Sequence, residues 1–196
     1  MIILKRLFTF ATIVVLVLSG CNADKLSIHD KIHQRFYNIS SYSAKCNVTI
    51  TSNKTKNNYA INAVYDCESE RYRLDYENFS IILGDENAQI INDGKVTSAP
   101  VEGSNMLMLI NTFFESYYVG EASYIQTNAA VSGDTLLECD IINPPEFASN
   151  MKLWINSKTI LPTKMGVYDK DGNEKIFVEF SEFKILNKVD EDIFQY

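Results

Sequence analysis

The sequence predicts a mainly β domain of the α+β class, a broad, curved antiparallel sheet whose concave face is covered by helices. Three observations carry this. Nine or ten segments alternate apolar with polar residues, most are joined by short polar turns that favour antiparallel pairing, and two segments change to the period of a helix.

The first element is not part of that domain. Lys5 and Arg6 precede an apolar run at residues 7–18, which leads into Leu18-Ser19-Gly20-Cys21. A membrane-spanning helix takes about 20 apolar residues, so the run is too short to span. A basic start, a short apolar stretch and small residues before a cysteine fit a secretory signal with a lipobox. On this reading residues 1–20 are removed and residues 21–196 form a single domain. Cys21 becomes the N-terminus, and its thiol carries a diacylglycerol with acyl chains such as palmitate. The protein is then held on the outer face of a bacterial membrane, each buried CH₂ contributing about 0.8 kcal/mol to the attachment.

Residues 24–39 read as a helix, with Leu26, Ile28, Ile32, Phe36 and Ile39 on one side and Asp30, Lys31 and Gln34 opposite. Strands follow at 44–51 and 59–67, separated by the polar stretch 52–58 with Lys54-Thr55-Lys56 at its tip. In 71–76, Tyr72, Leu74 and Tyr76 alternate with Arg71, Arg73 and Asp75. Short strands at 80–83 and 88–92 end in the tight-turn signal Asn92-Asp93-Gly94. Ser104 can cap a second helix reaching Tyr118, whose apolar side (Met106, Leu107, Leu109, Ile110, Phe113, Phe114, Tyr117) is broad enough for contact on two sides. Strands resume at 121–130, 135–142, 151–156, 162–168 and 174–186, with Asn143-Pro144-Pro145 as a break and Asp169-Lys170-Asp171-Gly172 as a hairpin turn. Residues 189–194 read as a final helical turn.

Charge narrows the partners. Loss of Lys5 and Arg6 leaves 16 basic residues against 25 acidic, a net charge of −9 on residues 22–196. With no basic patch, nucleic acid is not an expected partner, and an anionic bilayer would repel the domain. The compartment permits disulfides. The hairpin 44–67 leaves two states open for Cys46 and Cys67: a cross-strand disulfide, or two buried thiols acting as small hydrophobes. Cys139 has no sequence-local partner.

No catalytic constellation emerges. His29 and His33 stand at i, i+4, the spacing of a zinc-binding helix, yet Asp30 is one methylene short of the glutamate that serves as base there, and no third histidine follows. The 169–172 turn lacks the remaining acidic positions of a calcium loop. Glu179 and Glu182 have ordinary solvent-face spacing, and phosphate-loop and nucleophile-elbow motifs are missing. The expectation is a protein without enzymatic activity, metal or cofactor.

Three stretches carry a resemblance. They are Leu153-Trp154-Ile155-Asn156-Ser157-Lys158-Thr159-Ile160-Leu161-Pro162-Thr163-Lys164-Met165, then Tyr168-Asp169-Lys170-Asp171-Gly172, then Val178-Glu179-Phe180-Ser181-Glu182-Phe183-Lys184. Together they resemble the C-terminal half of LolA/LolB-like domains (outer-membrane lipoprotein-sorting proteins), with Asn156 where aspartate is usual. Tyr42-Ser43-Ala44-Lys45, residues 52–57 and Arg71-Tyr72-Arg73-Leu74 match the opening strands of that pattern. Combined with the lipobox, the chain resembles the GerS-like germination lipoproteins of clostridia. That resemblance implies a curved half-barrel closed by helices. It also implies a non-enzymatic partner of the cortex-specific N-acetylmuramoyl-L-alanine amidase, supporting formation of muramic-δ-lactam during sporulation on a forespore or spore membrane facing the cortex. A homodimer is compatible with it. The wider LolA-like class implies a different function, binding or carrying lipids or lipoproteins of the cell envelope, which requires an apolar cavity between sheet and helix.

Overall fold

The computed structural model describes residues 26–37, 40–52, 54–84, 87–100, 110–119, 123–125 and 133–195. The expected signal sequence, Cys21, residues 104–109 of the second expected helix and most of the strand expected at 121–130 lie outside the described residues. The chain divides into two compact units, Met1–Lys31 and Ile32–Tyr196. The sheet belongs wholly to the second.

Helix α1 spans Ile28–Phe36. Its start is set by Ser27, whose hydroxyl accepts the Asp30 N–H at 3.1 Å while the Asp30 carboxylate accepts the Ser27 N–H at 3.2 Å. This reciprocal pairing satisfies two amides that the first helical turn leaves without partners. Ile32 and Phe36 are its buried residues.

Eleven strands follow in one sheet: β1 Tyr42–Thr51, β2 Lys56–Asp66, β3 Arg71–Asp75, β4 Ser80–Leu83, β5 Asn87–Asn92, β6 Lys95–Pro100, β7 Ser123–Ile125, β8 Asp134–Asp140, β9 Asn150–Asn156, β10 Leu161–Tyr168 and β11 Glu174–Ile185. Helix α2, Ile110–Val119, lies in sequence between β6 and β7, and a 3₁₀ turn occupies Glu191–Phe194. The strand order is β6-β5-β4-β3-β2-β1-β11-β10-β9-β8-β7, and every pairing is antiparallel. Two meanders are thus seamed where β1 pairs β11. Strands β6 and β7 end up on opposite edges, so the sheet is open and the connection carrying α2 joins one edge to the other.

Register explains the core. Val48 stands opposite Val178, which stands opposite Met165, then Leu153, then Leu137. Each is at most 1% exposed, so one row of apolar side chains runs across five strands without a solvent gap. Full burial of such a side chain contributes about 1.5–3 kcal/mol. A second row is aromatic. Tyr42 faces Tyr65 and Tyr65 faces Tyr72, with ring centroids 5.5 and 4.5 Å apart, and Phe183 stacks on Tyr42 at 4.9 Å. Helix α2 lies against these rows. The Ile110 backbone hydrogen-bonds Tyr42, the Asn111 side chain hydrogen-bonds Tyr65, and Phe114 stacks on Phe36 of α1 at 4.5 Å.

Two expectations need correction. The expected count of nine or ten strands omitted β6, whose residues are nearly all exposed, as befits an edge. The second is the polar turn expected at 52–58; of the two states left open for Cys46 and Cys67, the structure has free thiols, Cys46 buried and Cys67 exposed. Strand β2 begins at Lys56, so the polar residues Lys56, Asn57 and Asn58 pair with Thr51, Ile50 and Thr49 and do not form the turn. That register sets Cys46 opposite Ile61. Cys67 lies beyond the end of β2, about 20 Å further along at ~3.4 Å per residue. A disulfide needs Cα atoms within about 7 Å.

Candidate functional site

The carboxylates singled out in the sequence, and His33, are engaged in structural roles. Glu179 pairs with Lys164 at 3.7 Å, and Glu182 pairs with Lys45 at 3.1 Å and with Lys184. Hydrogen bonds from Lys184 and then Lys45 hold the Glu182 carboxyl below its ordinary range, the reverse of what a general acid needs. In the β10–β11 turn, Asp169 accepts the Asp171 N–H (2.9 Å), the Asn173 N–H (2.8 Å) and the Asn173 side-chain amide (3.0 Å), and pairs with Lys175 at 3.0 Å. Its carboxylate is committed to closing the turn. The exposed His33 stacks on Tyr37 at 4.8 Å and meets the edge of Tyr118 at 5.3 Å. Among the described residues, no group of three or more His, Cys, Asp or Glu is placed to hold a metal ion.

Buried nucleophiles are silenced by their surroundings. Burial pushes the Cys46 thiol up to about 11 and Cys139 to about 12, the latter aided by Asp140 and Glu138. Burial likewise raises Tyr42 and Tyr72 well above the usual phenol range. Protonated at neutral pH, these groups supply neither thiolate nor phenolate.

One small cavity lies where Ile110 of α2 meets the sheet. Lined by Ala44, Cys46, Val48, Ile61, Ile110 and Phe180, among others, it holds about 20 Å³. That admits a single water-sized molecule and no acyl chain. No described helix is long and apolar enough to cross a membrane.

The outer face of the sheet holds a feature that sequence reasoning missed. Residues 186–195 run across it as a strap. Val189 and Phe194 pack on Ile82, flanked by Val64, Ile91, Leu186 and Ile193. The Arg71 guanidinium sits 4.5 Å above the centre of the Phe194 ring. Arg73 donates to the Ile193 carbonyl at 2.6 Å and is itself held by Asp75 at 2.7 Å. Alternation had placed Arg71, Arg73 and Asp75 opposite the buried Tyr72 and Leu74, which is correct; the strap half-buries that charged face. The only sequence signal for it is the apolar spacing Val189, Ile193, Phe194.

Comparison with known proteins then places the chain. Over residues 1–194 it matches the family model described as sporulation protein YdcC-like. Among solved structures, an uncharacterized conserved protein from Thermus thermophilus is 10% identical, with 86% of this chain and 91% of that one covered and a TM-score of 0.53. A putative outer membrane lipoprotein-sorting protein domain from Vibrio parahaemolyticus is 9% identical, with 86% and 94% covered and a TM-score of 0.50. A chain of the complex between the CwlD amidase of Clostridioides difficile and the GerS lipoprotein is 21% identical, with 84% and 98% covered and a TM-score of 0.49. At such identities the first two likenesses show the fold alone, an open antiparallel sheet with helices. No curated protein sequence matches significantly.

Proposed function

The chain belongs to the sporulation protein YdcC-like family, and from that premise we propose that it is a lipid-anchored, non-enzymatic partner of the spore-cortex N-acetylmuramoyl-L-alanine amidase. The family match along nearly the whole chain carries this reading, because it ties the protein to sporulation. The lipobox and the GerS-like motifs supply the rest: diacylglycerol on Cys21, and a sheet curled as a half-barrel on a forespore or spore membrane facing the cortex. The engaged carboxylates favour a role exercised through the surface.

The amidase carries the zinc and the bond-breaking chemistry. By binding only the metal-loaded, competent state, the lipoprotein raises that state's population by its differential affinity, and muramic-δ-lactam formation follows. The exposed edge strand β6 offers backbone donors and acceptors through which two copies of the chain can pair.

Affinity purification of the anchored protein from sporulating cells tests the reading. The amidase is expected in the eluate, and Cys21→Ser is expected to move the protein off the membrane while leaving the amidase bound. An eluate without amidase, from cells that make it, contradicts the proposal.

A further inference from the structure

The C-terminal ends of α1 and α2 meet at an aromatic corner. Tyr37, the residue after α1, stacks on His33 at 4.8 Å and meets the Tyr118 ring of α2 edge-on at 5.7 Å, and His33 meets that same ring at 5.3 Å. Beneath them Phe114 stacks on Phe36 at 4.5 Å and on Tyr118 at 5.7 Å, so rings run without a break from the core to the surface. The outermost side chains are wet. Tyr37 is 61% exposed and Val119, the last residue of α2, is 77% exposed, the two highest values for large hydrophobic side chains among the described residues. The corner also departs from the charge of the domain. The last turn of α1 carries His33 and Arg35 and no acid, and α2 has no charged residue after Glu115. On a stretch, 22–196, whose net charge is −9, this corner is neutral to basic.

We propose that this corner rests on the lipid bilayer, at the level of the headgroups, and sets how the anchored domain stands on the membrane. The inference rests on the lipid-anchored reading above, and two observations name a bilayer as the occupant. The first is the tether. With Cys21 in the membrane, the six residues from it to Ser27 reach at most about 22 Å. The nine residues of α1 add about 14 Å, so the corner at the far end of that helix never lies more than about 36 Å from lipid. Such a leash gives a high effective concentration, so a patch of a few side chains is enough for contact. The second is charge. An anionic bilayer repels the domain as a whole, and screening over about 8 Å leaves the facing residues to decide the orientation. Repulsion is least with the neutral-to-basic corner toward the lipid. Tyrosine suits that boundary, its ring meeting the apolar side and its hydroxyl staying wet, and Val119 adds an aliphatic contact.

The test reconstitutes the anchored protein in vesicles of phosphatidylcholine and phosphatidylglycerol, with or without bromine on the acyl chains, and reads the quenching of indole fluorescence. Trp154, the single native tryptophan, supplies the baseline. Tyr37→Trp is expected to add emission of which brominated lipid removes at least about half, and adding Val119→Asp is expected to abolish most of that loss. Tyr59→Trp, at an exposed tyrosine of β2, is expected to stay at the baseline. Should Tyr37→Trp fail to fold, as judged by circular dichroism, Val119→Trp is read in the same way. No quenching at position 37 overturns the proposal, as does equal quenching at positions 37 and 59. Shielding of position 37 from aqueous iodide without quenching by lipid also overturns it, since a protein then covers the corner. Mass spectrometry of the same sample reads the lipid on Cys21. Its absence ends the anchored reading alone, and the unanchored chain at saturating lipid then decides the corner by the same quenching.

Discussion

The ring of Tyr168 lies across Gly166 on strand β10, its Cε2 and Oη 2.7 Å from where a glycine Cβ would stand. The Lys152 ammonium is 5.1 Å from the ring centre, and the phenol reaches Glu174 at 3.5 Å. Burial, then Glu174, pushes that phenol up to about 12. The glycine is there for the ring's sake.

Gly166→Ala should therefore drive the ring aside and lower stability by about 1–2 kcal/mol, through loss of the cation–π contact and the ring's packing. With Tyr168→Ala already present, the same change should raise stability by about 0.5–1 kcal/mol, because alanine restricts the unfolded chain. Urea unfolding of the four proteins in the cycle measures the sign reversal.

Thiol chemistry checks the β1–β2 register. In the soluble Cys21→Ser protein at pH 8, Cys67 is exposed, while Cys46 and Cys139 are buried with raised thiol pKa values. One thiol should react rapidly with an aromatic disulfide reagent and two more only on unfolding. A native protein two mass units lighter than its reduced form, with Cys46 and Cys67 linked, would show the register to be wrong.

The sheet was legible in the sequence because β1, β3, β8 and β9 each bury one face, so alternation repeats down the strand. It was illegible where burial ends. Lys56, Asn57 and Asn58 extend β2 into solvent as a polar strand, and Lys95–Pro100 pairs along an exposed edge, so neither stretch has an apolar face to betray it. The turn at 52–58 was drawn too long for the same reason, since polar strand residues were counted in it. The strap was hidden differently. Arg71 and Arg73 look like solvent-face residues until a distant segment covers them, and local periodicity carries no trace of that contact.

Acid should weaken the protein partly through the β10–β11 turn. Hydrogen bonds from Asn173, then Lys175 and the Asp171 backbone, hold the Asp169 carboxyl well below the ordinary range. A depressed folded pKa contributes stability above the unfolded value of about 3.9, and that contribution is lost as pH falls toward the folded pKa. Asp169→Asn should flatten the loss of stability below about pH 4 in thermal melts taken across pH, while lowering stability at pH 7.

The α1–α2 contact should matter more than any surface ion pair. Phe114 is 1% exposed and stacks on Phe36. Phe114→Ala is expected to cost about 3–5 kcal/mol. Lys164→Ala, which removes one exposed pair with Glu179, should cost under about 1 kcal/mol. Denaturant midpoints for the two variants separate these scales.

As proposed, this protein acts through the amidase and has no hydrolytic activity of its own. The most direct measurement is the rate of peptide release from cortex-type glycan strands by purified spore amidase, with and without saturating Cys21→Ser protein, alongside the zinc that the amidase retains after gel filtration. No release by this protein alone is expected, together with co-elution of the pair and a rise in both zinc retained and rate. Unchanged zinc and an unchanged rate in the mixture would contradict the proposal.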